Sequence, residues 1–362
     1  MENYYRKVKV LIVDDSALVR DILSKGLGGD AGIEVVGTAP DVYVARDMIV
    51  RLRPDVLTLD VEMPKMDGIE FLRKLMPQYP IPVVVVSSLT QKGKDITMQA
   101  LEFGAVDYVA KPMANLSEGL NAMMMELRTK IKIASTANVS HWKNKKFDEV
   151  QTKITGSQAL SESTDKLIAI GASTGGTEAI RKVISVLPPN TPGVVIVQHM
   201  PKGFTQTFAE RMNQVSLMTV KEAEEGDRVL NGRILIAPGD YHITVERSGG
   251  QYIIRTNQND KVNGHRPSVD VLFLSVAKNV GPNAYGIILT GMGADGAKGL
   301  KAMKEQGAKT FGQDQATSVV YGMPKVAFEL GAVDFQLPLD QISKRLISQI
   351  EEDKKMFEGK NK

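Results

Sequence analysis

The 362-residue chain contains no cysteine. Disulfides, thiolate nucleophiles and cysteine-ligated metal sites are therefore excluded. A cysteine-free chain agrees with a reducing compartment. There is one tryptophan and there are only four histidines, so a histidine-based site has few residues to draw on. No apolar run approaches the ~20 residues of a membrane-spanning helix. The opening stretch MENYYRKVKVLIVDD does not read as a secretory leader, because its apolar run, Val10–Val13, is short and ends in two aspartates. A soluble cytoplasmic protein without membrane insertion is expected. A large excess of one charge is also missing. The 45 Lys and Arg against 42 Asp and Glu leave a formal net charge of +3, too small to call for a nucleic-acid partner.

What is present is a repeating alternation. Val8–Val13, Val35–Thr38, Val56–Asp60, Val83–Ser87 and Tyr108–Ala110 are short runs rich in β-branched residues with little polar alternation. That pattern suits parallel strands buried on both faces. Between them lie helical spacings such as Leu18, Ile22 and Leu23, or Phe71, Leu72 and Leu75. Five strand–helix repeats predict a doubly wound, five-stranded parallel α/β domain over 1–127. Residues 128–165 lose the period and turn polar, and a linker is expected there, with a helical continuation at its start and Trp142 packed on one of the domains. A second alternating block over 166–355 predicts a doubly wound, mostly parallel α/β domain. Its candidate strands His242–Arg247 and Tyr252–Thr256 flank Ser248-Gly249-Gly250 and read as an antiparallel hairpin. A charged tail, 356–362, ends the chain.

In a parallel sheet the C-terminal strand ends share one crest, where ligands bind. The first strand ends in Asp14 and Asp15, and the third in Asp60. Three carboxylates at one place repel unless a cation is present, and oxygen-only ligands suit Mg²⁺. Ser87 ends the fourth strand and Lys111 follows the fifth. A metal, a hydroxyl and a lysine around an aspartate are the equipment for phosphoryl transfer onto Asp60. The competing reading is that Asp14 and Asp15 only cap the following helix. The stretches VLIVDDSALVR, DVLTLDVEMPKMDGIEFL, VVVVSS and DYVAKP resemble the receiver domain of two-component response regulators. The resemblance implies a flavodoxin-like fold, Mg²⁺ held by Asp14, Asp15 and Asp60, phosphorylation of Asp60, phosphoryl sensing by Ser87 and Lys111, and a cis bond at Lys111-Pro112. Ser88 stands beside Ser87 as a second hydroxyl.

The other conspicuous stretch is LIAIGASTGGT, residues 167–177. Ser173 lies in a formal G-x-S-x-G, a strand-to-helix turn that exposes a hydroxyl. It could be a nucleophile, part of a phosphate cradle, or a helix cap. A dinucleotide fingerprint needs glycine at this position, and a Walker loop needs a Gly-Lys-Ser/Thr ending; neither is met. A serine nucleophile requires a base and a group to orient it. His141 lies in the linker, His242 in a strand and His265 in a loop, whereas His199 directly follows the buried run VVIVQ and shares the crest with Ser173. GIILTGMGADG runs off another strand, and Asp295 is its only carboxylate. Asp295 could orient His199 or merely cap the next helix. The Met292 N–H is the candidate oxyanion donor. The order Ser173, His199, Asp295 departs from that of α/β-hydrolases, which place the acid before the histidine.

IGASTGGTEAIRKV, VIVQHMPKGFTQTFAERMN, APGDYHITV, GHRPSVDVLF, LTGMGADGAKGL and QDQATSVVYGMPKVA resemble the catalytic domain of chemotaxis protein-glutamate methylesterases. That resemblance implies Ser173 as nucleophile, His199 as general base and Asp295 as its orienter. It implies hydrolysis of glutamyl methyl esters on methyl-accepting chemotaxis receptors, deamidation of receptor glutamines, and a chemotaxis histidine kinase as phosphodonor. No cofactor is expected for the esterase chemistry, and a monomer is expected. A receiver joined to a DNA-binding output is the main rival reading, which predicts a helix-turn-helix near the C-terminus, and an esterase for small molecules with the receiver as its switch is a third.

Overall fold

A computed structural model of the chain describes residues 6–63, 68–88, 90–112, 116–145 and 166–360. It divides into two compact units, Met1–Asp148 and Glu149–Lys362. The expected linker lies outside the described residues from 146 to 165, as do the last two residues of the tail.

The first unit runs β1 (Val8–Val13), α1 (Ala17–Gly28), β2 (Ile33–Ala39), α2 (Val42–Leu52), β3 (Val56–Leu59), α3 (Gly68–Gln78), β4 (Val83–Ser87), α4 (Gln91–Glu102), β5 (Asp107–Ala110) and α5 (Leu116–Ala134). The sheet order is β2-β1-β3-β4-β5, and every pair is parallel. Val10–Ile12 and Val83–Val85 are fully buried, because helices cover both faces. Side-chain caps start three of those helices. Ser16 accepts from the Val19 N–H, Asp41 from those of Tyr43 and Val44, and Thr90 from that of Gly93.

Residues 128–134, expected at the start of the linker, continue α5 to Ala134. A single 3-10 turn, Ser140–Trp142, then folds back onto the first unit. The Trp142 ring is buried against Gly104, close enough that a Cβ on Gly104 would sit 3.1 Å from it. The Asn144 N–H donates to the Pro77 carbonyl at 2.9 Å. The Lys145 ammonium lies over the indole, 3.7 Å from its ring centroid. Lys111-Pro112 is not cis; among the described residues the cis peptide is Arg266-Pro267. An X–Pro bond prefers trans by only ~0.5–1 kcal/mol, so local sequence does not set the isomer.

The second unit runs β6 (Leu167–Ala172), α6 (Gly176–Ile184), β7 (Gly193–Gln198), α7 (Phe204–Val215), β8 (Thr219–Glu222), β9 (Arg233–Ile236), β10 (His242–Ser248), β11 (Gln251–Asn257), α8 (Val269–Asn279), β12 (Ala284–Ile288), α9 (Ala297–Glu305), β13 (Lys309–Gln313), α10 (Met323–Glu329), β14 (Phe335–Leu337) and α11 (Leu339–Lys360). Its main sheet has the order β14-β13-β12-β6-β7-β9-β8. All six pairings in it are parallel. The hairpin β10–β11 is antiparallel but forms its own two-stranded sheet instead of an edge of the large one. It packs on α8, with Ile243, Val245 and Ile254 in one core with Leu272, Phe273 and Val276. This architecture replaces the helix-turn-helix output that a DNA-binding regulator requires. Two strands, β8 and β14, escape the sequence reading. They are the edges of the sheet, short and only partly buried, so they carry no apolar run.

The charged C-terminal stretch is not a separate tail, since α11 continues to Lys360. Asp353 anchors it by accepting from Tyr285 Oη at 2.6 Å and Lys166 Nζ at 3.0 Å. No described helix is long and apolar enough to cross a membrane.

Trp142→Ala is expected to destabilise the first unit by roughly 3–5 kcal/mol, the cost of emptying a large buried aromatic site. Urea unfolding of the full chain followed by circular dichroism would show an earlier transition for that unit alone.

Candidate functional site

In both sheets the first strand lies inside the sheet, and the chain leaves it in opposite directions. β1 sits between β2 and β3, and β6 between β12 and β7. Such a switch point opens a crevice beyond the carboxyl ends of the strands. The candidate residues lie at these two crevices.

Beyond β6 the turn Ser173–Gly175 leads into α6. Gly175 takes the left-handed backbone, with φ 76, and a Cβ there would strike the Val319 side chain at 2.6 Å. Ser173 itself is not left-handed, so this turn is not the strained serine elbow that the G-x-S-x-G match suggests. Gly175 is also the N-cap of α6, with no side-chain cap. The Ser173 hydroxyl is instead 3.1 Å from His199 Nδ1. His199 follows β7, and its backbone N–H donates to the Ala172 carbonyl at 3.1 Å. Its Nε2 lies 2.8 Å from Asp295 Oδ2. Three adjacent strands, β6, β7 and β12, thus deliver a continuous Ser–His–Asp relay.

Asp295 is only 2% exposed. Besides His199 it accepts from Ser268 Oγ, Asn263 Nδ2 and the Val269 and Asp270 N–H groups at the start of α8. Burial pushes its pKa up, but the hydrogen bonds and charge of His199, with Ser268 and Asn263, outweigh it and hold the carboxyl well below the usual carboxylate range. An ionised carboxylate only accepts. His199 Nε2 therefore carries a proton toward Asp295, and in the neutral ring Nδ1 offers its lone pair to the Ser173 O–H.

Met292 follows Gly291, whose Cα approaches Ser173 so closely that a Cβ would lie 2.6 Å from the serine Cβ. Among the described residues the Met292 N–H has no protein acceptor. Gln198 was not foreseen. Its buried amide donates to the carbonyls of Ser173 at 2.9 Å and His199 at 3.2 Å, stapling the two loops. Ser268, Asp270 and Asn263 were also missed, because nothing local in NGHRPSVD announces that it reaches Asp295. The remaining histidines separate cleanly. His242 is buried between Ser268 N–H and the Asp260 carbonyl, His141 is beside Trp142, and His265 stacks on His199 with ring centroids 3.7 Å apart.

In the first unit Asp14, Asp15 and Asp60 place one oxygen each within 4.8 Å of one another. Lys111 Nζ bonds Asp60 Oδ2 at 2.6 Å and Asp14 Oδ2 at 3.1 Å. Burial and Asp60 push the Asp14 carboxyl up against the pull of Lys111. Burial also works against the Lys111 ammonium, but the two carboxylates prevail and raise its pKa. The cluster is therefore short of positive charge even with its lysine. A hard dication among three carboxylates fits it. Ser87 is not brought to Asp60 here: its buried hydroxyl donates to the Gly93 carbonyl at 3.2 Å. Ser88 Oγ donates to Glu62 at 3.0 Å.

The depressed pKa of Asp295 has a sign for stability. A carboxyl whose folded pKa lies below its unfolded value of 3.8 binds fewer protons when folded. Its contribution is complete above that value and is lost as pH falls through the folded pKa. The second unit is expected to melt at progressively lower temperature below about pH 4, and Asp295→Asn to flatten that acid dependence in calorimetry.

Residues 10–123 match the model of the response regulator receiver domain, and residues 168–346 that of the CheB methylesterase family. The protein-glutamate methylesterase/protein-glutamine glutaminase of Syntrophotalea carbinolica is 60% identical over 348 residues, covering 96% of this chain and 99% of that one. The Salmonella typhimurium protein of the same name is 51% identical over 344 residues, 95% and 97% of the two chains. The crystal structure of the Thermotoga maritima CheB methylesterase catalytic domain is similar at a TM-score of 0.50 and 41% identity, over 51% of this chain and 98% of that one. With both units and the Ser–His–Asp relay in place, the chain belongs to the receiver-linked protein-glutamate methylesterase/protein-glutamine glutaminase family.

Proposed function

We propose that the second unit hydrolyses glutamyl methyl esters on methyl-accepting chemotaxis receptors, and deamidates receptor glutamines, under control of phosphorylation of the first. The observation that carries this reading is the relay Ser173 Oγ–His199–Asp295, with distances of 3.1 and 2.8 Å. Ser173 Oγ attacks the ester carbonyl carbon while its proton passes to His199 Nδ1. The imidazolium formed is held by Asp295, which stays ionised. The oxyanion is stabilised by backbone donors, with the Met292 N–H as candidate. The C–O bond to the methoxy group breaks, and His199 returns the proton so that methanol leaves. Water then adds to the acyl-serine with His199 again as base, and glutamate and free Ser173 result. A glutamine side chain follows the same course with ammonia as leaving group.

In the first unit Asp60 is the proposed phosphoacceptor, and a chemotaxis histidine kinase the phosphodonor. Asp14, Asp15 and Asp60 would hold Mg²⁺, which neutralises phosphoryl oxygens when bound. Lys111 is placed to form an ion pair with the phosphoryl group, and the Ser87 hydroxyl would have to leave Gly93 to reach it. We infer further that the unphosphorylated first unit restrains the second by covering Ser173, because a switch needs contacts that differ between its two states.

Methanol release from methylated chemoreceptor membranes tests both halves. Ser173→Ala is expected to lower the rate by ~10⁴ or more; a fully active variant would remove the serine from the chemistry. A small-molecule phosphodonor with Mg²⁺ should stimulate the wild type, whereas chelation of Mg²⁺ or Asp60→Asn should abolish the response. Deletion of residues 1–165 is expected to raise the unstimulated rate, and an unchanged rate would exclude inhibition by covering.

A further inference from the structure

The segment Val262-Asn263-Gly264-His265 is a two-residue hairpin turn. Val262 and His265 exchange both backbone hydrogen bonds, at 3.1 and 2.9 Å. The two central residues have φ values of 53 and 80. Positive φ at both positions defines the turn type for which Asn-Gly is the preferred pair. The turn is thus strongly specified by its own sequence. Its two reaching side chains both go to the esterase relay. His265 stacks on His199, and Asn263 turns its amide inward.

Asn263 Nδ2 is 2.7 Å from Asp295 Oδ1 and 2.8 Å from Asp270 Oδ2. A primary amide nitrogen has two hydrogens, and both are used here. The opposite amide orientation would set a carbonyl oxygen against two carboxylate oxygens, so the contacts themselves determine which atom faces inward. Asp270 is also buried, and its other oxygen accepts from the Gly299 N–H at 2.7 Å. Burial, opposed by the Gly299 and Asn263 hydrogen bonds, pushes its carboxyl up, and Asp295 adds to the push. Two buried anions therefore face one neutral donor, which lets them lie close together.

We propose that Asn263 is a positioning residue for the esterase reaction, its amide bridging Asp295 and Asp270 so that Asp295 keeps Oδ2 on His199. The proposal rests on the Ser173–His199–Asp295 reading above. Asn263 is on an exposed turn and takes no part in the strand-end motifs. It acts by fixing the rotation of the Asp295 carboxylate and by drawing charge onto Oδ1, away from the oxygen that faces His199. Without it, Asp295 would bind the imidazolium more tightly and in a less defined orientation. Among the described residues His199 contacts the titratable groups Asp295 beyond β12 and His265 in the turn, and Asp270 of α8 lies behind Asn263.

The clean variant is Asn263→Gly, because glycine keeps the left-handed backbone and deletes only the amide. In the full-length chain with methylated receptor membranes, kcat for methanol release, per folded protein, is expected to fall roughly tenfold, as for loss of groups that orient a reacting side chain. The acid limb of the rate profile is expected to move to higher pH. Asn263→Asp keeps the turn and the size, but an ionised side chain repels both carboxylates and a neutral one supplies only one of the two donors. It is expected to be slower than the glycine variant at neutral pH. Wild-type kcat in either variant, or a lower kcat with an unmoved acid limb in Asn263→Gly, overturns the proposal, because a merely structural turn would leave the profile where it was. Ser173→Ala in the same assay separates the two claims. If it remains active the relay reading itself fails, whereas if it is inactive and Asn263→Gly is normal only the role of Asn263 falls.

Discussion

The second unit is organised around a single buried negative charge. An isolated carboxylate at the depth of Asp295 would protonate instead of remaining ionised. It stays ionised because five donors converge on it: a ring N–H, a hydroxyl, an amide and two backbone N–H groups at the start of α8. Four of those five donors fix something else. The ring N–H sets the tautomer of His199 and so the direction of proton transfer. The backbone pair seats α8, which carries the hairpin β10–β11 on its other side. The amide orients the turn that brings His265 onto His199. The reaction chemistry and the packing of this part of the domain are in that sense satisfied by the same carboxylate.

The first unit solves the opposite problem. There the charges are crowded, with Asp14 and Asp60 buried and Asp15 exposed, and Lys111 alone does not balance them. A site short of positive charge is suited to bind a dication and then a phosphoryl group. A site whose anion is fully satisfied is suited to shuttle a proton without taking one permanently. Both arise at the same topological feature, the strand at which the sheet reverses its order.

That shared topology explains what was legible in the amino-acid sequence. Asp14, Asp15 and Asp60 follow buried apolar runs, Ser87 ends one and Lys111 follows the short strand Asp107–Ala110, so a common crest could be inferred from the alternation. Ser173 and His199 follow such runs too, and Asp295 lies seven residues past Ile288 at the end of β12. Three features were not legible, each for a physical reason. β8 and β14 are sheet edges without continuous apolar runs. The helical end of α5 and a packed Trp142 were expected, but the 3-10 turn Ser140–Trp142 that folds the segment back was not, because the residues around it are polar and carry no period. Asn263 reads locally as nothing more than a turn residue, because its partners, Asp270 and Asp295, come from a helix and a loop that only the tertiary fold brings to it.

Trp142 has a bearing on how one unit can influence the other. The chain stays committed to the first unit as far as Lys145, whose ammonium lies on the indole, and becomes committed to the second at Lys166, which is held by Tyr285 and Asp353. Twenty residues separate those two lysines, a length of chain whose reach is at most roughly 75 Å. For two units joined by so short a reach, the local concentration of one at the other is set by that length and not by the amount of protein in the cell. Lengthening the chain at the Trp142 end, by releasing the indole, would dilute that encounter without altering a residue of either site.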